Sequence, residues 1–214
     1  MRESRNVGPL VDWLQTAVRQ ALVPLERIAD LVPDGGHVLE LGCGQGLLID
    51  RISRRVDSVT GVDIDARKCR MANAALAGRS NVKIVHGELI AFLSEERSAS
   101  VSTVILSDTL SSLPRDRQEA SIRLASRCLE RGGLLLVKHI NTQPAWKSNA
   151  SRLVSGIIYG VLGLSISYNQ GFSYLSSGEY AKMLRRVGLR TVKVNLSQST
   201  RQVIPHSVVM GWKP

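Results

Sequence analysis

Seven residues near the start of the chain combine an acid with three glycines: Glu40-Leu41-Gly42-Cys43-Gly44-Gln45-Gly46. Asp63 stands 21 positions beyond Gly42. Glycines at this spacing let backbone turn tightly and approach a ligand. Backbone N–H groups at the start of a following helix can then face polar or anionic groups. A carboxylate at the end of the next strand can accept hydrogen bonds from both hydroxyls of a ribose. Together, in a strand–turn–helix–strand context, these residues point to a ligand that carries a nucleoside.

The flanking sequence must supply that context. His37-Val38-Leu39-Glu40-Leu41 reads as a short strand, and a helix is expected from about Leu47 to Arg55. Ser58-Val59-Thr60-Gly61-Val62 is a second strand ending at Asp63. A helix follows from about Ala66 to Leu76, then the strand Val82-Lys83-Ile84-Val85. A fourth strand, Val101–Leu106, precedes a helix over 116–130, and Arg131-Gly132-Gly133 turns into the strand Leu134–Val137. Apolar strands without alternation, separated by helices, imply a parallel sheet covered on both faces. This predicts an α/β fold. Upstream, apolar residues at helical spacing from Leu10 to Ile28 predict a helical segment interrupted at Pro24. Downstream, a helix is expected over 177–187, stopped by Gly188. Two strands, Thr191–Leu196 and Val203–Trp212, should form a hairpin.

Spacing also distinguishes among nucleoside ligands. Dinucleotide folds use G-x-G-x-x-G, whereas here the third glycine follows the second by two positions. That disfavours a nicotinamide-dependent oxidoreductase. The pattern E-x-G-x-G-x-G resembles the first motif of class I, Rossmann-like, S-adenosylmethionine-dependent methyltransferases. Gly61-Val62-Asp63-Ile64-Asp65 resembles that family's second motif, and His86-Gly87-Glu88 stands where the family places a residue near adenine. Ser107-Asp108-Thr109-Leu110-Ser111-Ser112-Leu113-Pro114 is similar to its fourth-strand motif. Leu129–Val137 is similar to its entry into strand five, with Arg131 in place of the usual proline.

The resemblance covers roughly residues 35–140. It implies a doubly wound, mostly parallel seven-stranded sheet with a C-terminal antiparallel hairpin and a lid-like insertion after strand five. The implied donor is S-adenosyl-L-methionine, the product S-adenosyl-L-homocysteine, and no metal is expected. The implied donor-binding residues are Glu40, Gly42, Cys43, Gly44, Gly46, Asp63, Ile64, Gly87, Glu88, Leu89, Ser107 and Asp108. Cys43 reads as a space-filling residue, not a nucleophile. The expected organisation is one methyltransferase domain. It has an N-terminal helical segment (1–33), a donor-binding core (34–140), an acceptor-side lid (141–175) and a terminal helix with hairpin (176–214).

Methyl transfer from a sulfonium mainly requires alignment of nucleophile, methyl and sulfur. A base is needed only where the nucleophile carries a tightly held proton. His139, at the carboxyl end of the fifth strand, is the candidate, although a structural histidine is a strong alternative. Trp146, Tyr168, Phe172 and Tyr174 are candidate walls of an acceptor pocket, or else lid-packing aromatics. The segment 141–172 matches no general motif, so the acceptor is where the resemblance stops.

Composition bounds the acceptor. The chain has 214 residues and a formal charge of +10; from Lys138 onward there are ten basic residues and one acid, Glu179. Such a field favours anionic partners. The expected acceptor is a small molecule or lipid, with an anionic end as one option and peripheral contact with an acidic membrane as a further expectation. An RNA methyltransferase and a non-catalytic donor-binding homologue are the alternatives. Nucleic acid is disfavoured: Asp108-Thr109-Leu110 is not the N/D-P-P-aromatic motif of base N-methylating families, and no cysteine stands nearby for pyrimidine-carbon chemistry. Aromatics are only 4%, too few for a broad stacking platform. Three widely spaced cysteines argue against a disulfide framework and suit a reducing cytoplasm. The first residues lead into an amphipathic stretch, which speaks against a signal peptide. The 16-residue apolar run Leu153–Tyr168 is short for a membrane span.

Overall fold

The computed structural model describes residues 23–140, 173–197 and 205–214. In order the elements are α1 (Leu25–Asp30), β1 (His37–Leu41), α2 (Leu47–Ile52), β2 (Ser58–Asp63), α3 (Ala66–Ala75), β3 (Val82–His86) and α4 (Leu89–Glu95). Then come β4 (Val101–Ser107), a 3-10 turn (Leu110–Ser112), α5 (Arg115–Cys128), β5 (Leu129–Ile140), α6 (Ser177–Arg186), β6 (Arg190–Asn195) and β7 (His206–Trp212).

The strands form one seven-stranded sheet in the order β3-β2-β1-β4-β5-β7-β6. β1 to β5 run parallel. β7 inserts between β5 and β6 and is antiparallel to both. The order reverses at β1: the chain leaves it toward β2 and β3, then crosses to β4. That switch opens a crevice beyond the carboxyl ends of β1 and β4, where ligands of open α/β sheets bind.

Apolar side chains fill both faces. On one, Leu39, Leu41, Leu106, Leu135 and Val137 pack under α4, α5 and α6. On the other, Val38, Ile105, Leu134, Leu136 and Val208 pack under α1 and α2. The central strands are therefore continuous apolar runs, while the edge strand β6 keeps Arg190, Val192 and Lys193 exposed. Gly211 of β7 lets α6 come close, since a Cβ there would lie 2.8 Å from Leu184 Cδ2.

The helix ends follow local chemistry. Asp65 caps α3 by accepting from Arg67 and Lys68 N–H. Ser176 and Glu179 form a reciprocal capping box on α6, which settles two orphan donors at once. The Ser176 N–H and hydroxyl hold the Glu179 carboxyl below its usual range. Gly188, at φ +86, ends the helix as expected.

Two details differ from the sequence reading. α4 was not anticipated; it buries Leu89 and Leu93, so Leu89 belongs to the apolar core. β5 begins five residues before Leu134, pairing Leu129 with Val101 before an irregularity in register carries it past Gly132 and Gly133. Of the helical segment expected upstream, α1 starts directly after Pro24, and residues 1–22 lie outside the described residues. Of the lid expected over 141–175, residues 141–172 also lie outside them.

Candidate active site

The glycine turn spans the crevice from β1 to α2. Gly42 N–H and Cys43 N–H both donate to the Val62 carbonyl, at 2.7 and 3.1 Å. Gly42 has φ +77, and a Cβ on it would run into the Thr109 side chain. Glycine is therefore required twice over, for conformation and for space. Gly46, at φ +75, stands against Leu76 and Ala72 and leads into α2. Cys43 is buried in the apolar layer beside Gly61, whose missing Cβ leaves room for its sulfur. This agrees with a space-filling role.

Asp63 ties this turn to β2. Its Oδ2 accepts the Gly44 N–H at 2.7 Å and its Oδ1 accepts the Asp65 N–H at 2.9 Å. The Asp63 carbonyl accepts from Gly87 N–H, which brings the end of β3 alongside. Asp63 is half-buried, and its oxygens keep lone pairs for further donors. Next to it Ile64 is 51% exposed, one of two large apolar side chains exposed among the described residues. Cys69 lies behind, its thiol pushed up to about 11 by burial and then by the Asp63 charge; it is no nucleophile at neutral pH.

Glu88 does more than the motif comparison implied. Its Oε2 accepts from Ile90 and Ala91 N–H, capping α4, and its Oε1 takes Arg117 at 2.9 Å. Any adenine amino group would share an already occupied carboxylate. Glu40 is buried on the face it shares with Val38 and Ile105. Ser107 is buried too, and its hydroxyl has no hydrogen-bond partner among the described residues.

Across the crevice the turn after β4 is tightly fixed. Asp108 sits at φ +60, a conformation that costs a non-glycine residue about 1–2 kcal/mol. Two contacts hold it there: its N–H donates to the Lys138 carbonyl at 3.0 Å, and its carboxylate pairs with Lys138 Nζ. Thr109 Oγ1 then donates to the Leu41 carbonyl at 2.7 Å.

His139 is 3% exposed. Its Nδ1 lies 3.1 Å from the Ile140 carbonyl and its Nε2 lies 3.0 Å from Ser177 Oγ. A carbonyl only accepts, so Nδ1 carries the proton and Nε2 accepts from Ser177. Burial lowers the histidine pKa, against the opposing pull of the Ile140 carbonyl and Asp108. The ring tilts against Tyr180 at 5.0 Å. Tyr180 donates to Gln118, whose amide in turn holds the Leu113 and Ser173 carbonyls. Burial and the Asp108 charge push the Tyr180 hydroxyl pKa well up.

Sequence reasoning did not find Ser177, Gln118 or Lys138. Ser177 and His139 are 38 positions apart, and nothing local joins them. Tyr174 is half-buried just ahead of α6. Trp146, Tyr168 and Phe172 lie outside the described residues. His37 bonds Thr60 at the opposite edge of the sheet. Among the described residues no group of three or more His, Cys, Asp or Glu side chains could hold a metal, and no helix is long and apolar enough to cross a membrane.

The sheet order, the glycine turn and its acidic partner define the α/β fold of class I methyltransferases. Residues 38–133 match the family model described as a methyltransferase domain. A ubiquinone biosynthesis O-methyltransferase of Paracidovorax citrulli is 27% identical over 192 residues, covering 89% of this chain and 69% of that protein. An uncharacterised methyltransferase of Mycobacterium tuberculosis is 30% identical over 132 residues, covering 61% of this chain and 64% of its own length. The chain thus spans about two thirds of the length of these relatives. In fold it is similar to the N-methyltransferase NodS of Bradyrhizobium japonicum, solved with S-adenosyl-L-homocysteine. The TM-score is 0.66 at 15% identity, over 92% of this chain and 87% of that one. Residues 38–133 are a methyltransferase domain, set in the fold of the class I S-adenosylmethionine-dependent methyltransferases.

Proposed function

We propose that this chain methylates a hydroxyl of a small organic acceptor. The observation that carries the donor side is the junction of Asp63 with the Gly44 N–H, which fixes a carboxylate beside the glycine turn. Asp63 would accept the ribose hydroxyls with its remaining lone pairs. Exposed Ile64 offers apolar surface to the adenine ring. Gly42 and Gly46, both at positive φ and packed against Thr109 and Leu76, set the path of the turn whose backbone would face the rest of the donor, and the buried, unpartnered Ser107 hydroxyl suits a polar group there. Glu40, Cys43 and Gly87 support this frame from behind, while Glu88 shapes its adenine end. These features fit S-adenosylmethionine, which when bound supplies a methyl group made electrophilic by its sulfonium. With the nucleoside end at Asp63, on the β2 side, the sulfonium end falls toward the β4 turn and Asp108.

An acceptor hydroxyl must lose its proton. His139 is neutral, and its Nε2 lone pair is aimed at Ser177 Oγ. The buried ring cannot meet an acceptor directly. Half-buried Ser177 can take the acceptor proton while passing its own to His139 Nε2. The names of the O-methyltransferase relatives support a small acceptor with a hydroxyl.

The test is a transfer assay with methyl-labelled donor against hydroxylated aromatics, lipid extract and RNA. Label on a hydroxylated small molecule is expected. Label on RNA alone, or on none of them with folded protein, would overturn the reading.

A further inference from the structure

Lys138 is unusual: a lysine at the end of β5 whose side chain has no exposed surface. Burying an ammonium costs several kcal/mol and is tolerated only with a close counter-charge. That counter-charge is Asp108, on the β4 turn at the far side of the crevice from Asp63. Lys138 and Ser107 are register partners on neighbouring strands, so both side chains project from the α1/α2 face. The same lysine's carbonyl accepts the Asp108 N–H. Asp108 is thereby held in a left-handed conformation from both ends. The next residue, Thr109, bonds the Leu41 carbonyl and fills the space above Gly42. A continuous set of contacts therefore runs from Lys138 through Asp108 and Thr109 to the first glycine of the donor turn.

The geometry assigns Lys138 as a positioning residue that sets both the shape and the charge of the sulfonium end of the donor site. This rests on the donor reading above. The donor is a cation at sulfur, and the product left after transfer is a neutral thioether. A lone carboxylate beside that sulfur would hold the cation more strongly than the product. A buried ammonium paired with the carboxylate cancels most of that bias. Lys138 thus narrows the difference between donor and product affinity, and it acts through Asp108 without touching either ligand.

The experiment measures calorimetric affinities of the full chain for S-adenosylmethionine and S-adenosylhomocysteine, with a melting temperature for each variant. Lys138→Met removes the positive charge and leaves the Asp108 carboxylate uncompensated, and the ratio of affinities should move toward the cationic donor by threefold or more. Asp108→Asn removes one, and the ratio should move toward the neutral product by a similar factor. Lys138→Arg keeps the charge and should stay within twofold of wild type. Equal ratios in both charge variants would overturn the assignment and leave the pair a structural clasp. If Lys138→Met fails to fold, Lys138→Gln, which keeps a polar partner for Asp108 without the charge, decides the matter by the same shift toward the donor. Wild-type protein that binds neither ligand would overturn the donor reading itself, a different outcome from an unmoved ratio.

Discussion

Replacing Asp63 with alanine probes two functions of one carboxylate. In the free protein its oxygens accept two backbone N–H groups, from Gly44 at 2.7 Å and Asp65 at 2.9 Å. Hydrogen bonds to a charged acceptor contribute about 1.5–3 kcal/mol each. Asp63 is only half-buried, so water can take over part of both bonds. A net loss of about 1–2 kcal/mol of stability is expected, which lowers the melting temperature of a chain this size by roughly 2–8 °C. The donor loses its ribose acceptor and meets a looser turn, so its affinity should fall by about 1–3 kcal/mol, or roughly 5- to 150-fold. Thermal denaturation without ligand measures the first effect, and calorimetry with S-adenosylhomocysteine measures the second. A melting temperature and an affinity both equal to wild type would refute the reasoning. A loss of stability alone would make Asp63 a purely structural tie.

Three further outcomes follow from particular contacts. Gly42→Ala forces a Cβ into Thr109 at a positive φ; it should cost about 2–4 kcal/mol and weaken donor binding, and a wild-type melting curve would contradict this. Gln118→Leu strands the buried Tyr180 hydroxyl and removes the donor from two half-buried carbonyls; a loss of about 2–4 kcal/mol is expected, and a melting temperature within about one degree of wild type would contradict it. His139 has a folded pKa below its ordinary 6.5. As pH falls through that value the unfolded state takes up the proton first, so stability is lost on the acid side and held above it. Wild type should therefore lose melting temperature more steeply than His139→Gln as pH drops from about 7.5 to 5, and parallel profiles would show that the ring is not held neutral.

The glycine turn and its contact with Asp63, the proposed donor side of the site, were readable because the signal is local. Three glycines within five residues, an apolar strand before them and an acid at the end of the next strand need no tertiary knowledge. The contacts around Lys138 and His139 were not, because they join distant positions. Lys138 looks in sequence like a solvated residue at a strand end. In the fold it is buried, with Val208 of β7 beside it on one side and the Asp108 carboxylate as its partner on the other. His139 stood out as a candidate at the end of a strand, but its hydrogen-bond partner comes from α6. Glu88 was read as a ligand contact, and its capping role was missed along with α4. The apolar stretch Leu89–Leu93 is too short for its period to separate helix from strand. The start of β5 was set late because Gly132 and Gly133 read as the end of a turn, whereas the strand passes through them as an irregularity.

On the proposed reading, the glycine turn and Asp63 form a site for a sulfonium-bearing nucleoside. Calorimetric titration of folded wild-type protein with S-adenosylhomocysteine, and separately with a nicotinamide dinucleotide, tests it most directly. Saturable one-to-one binding of S-adenosylhomocysteine, weakened by Asp63→Ala and absent for the dinucleotide, is the predicted result. No heat from S-adenosylhomocysteine, or tighter binding of the dinucleotide, would contradict it.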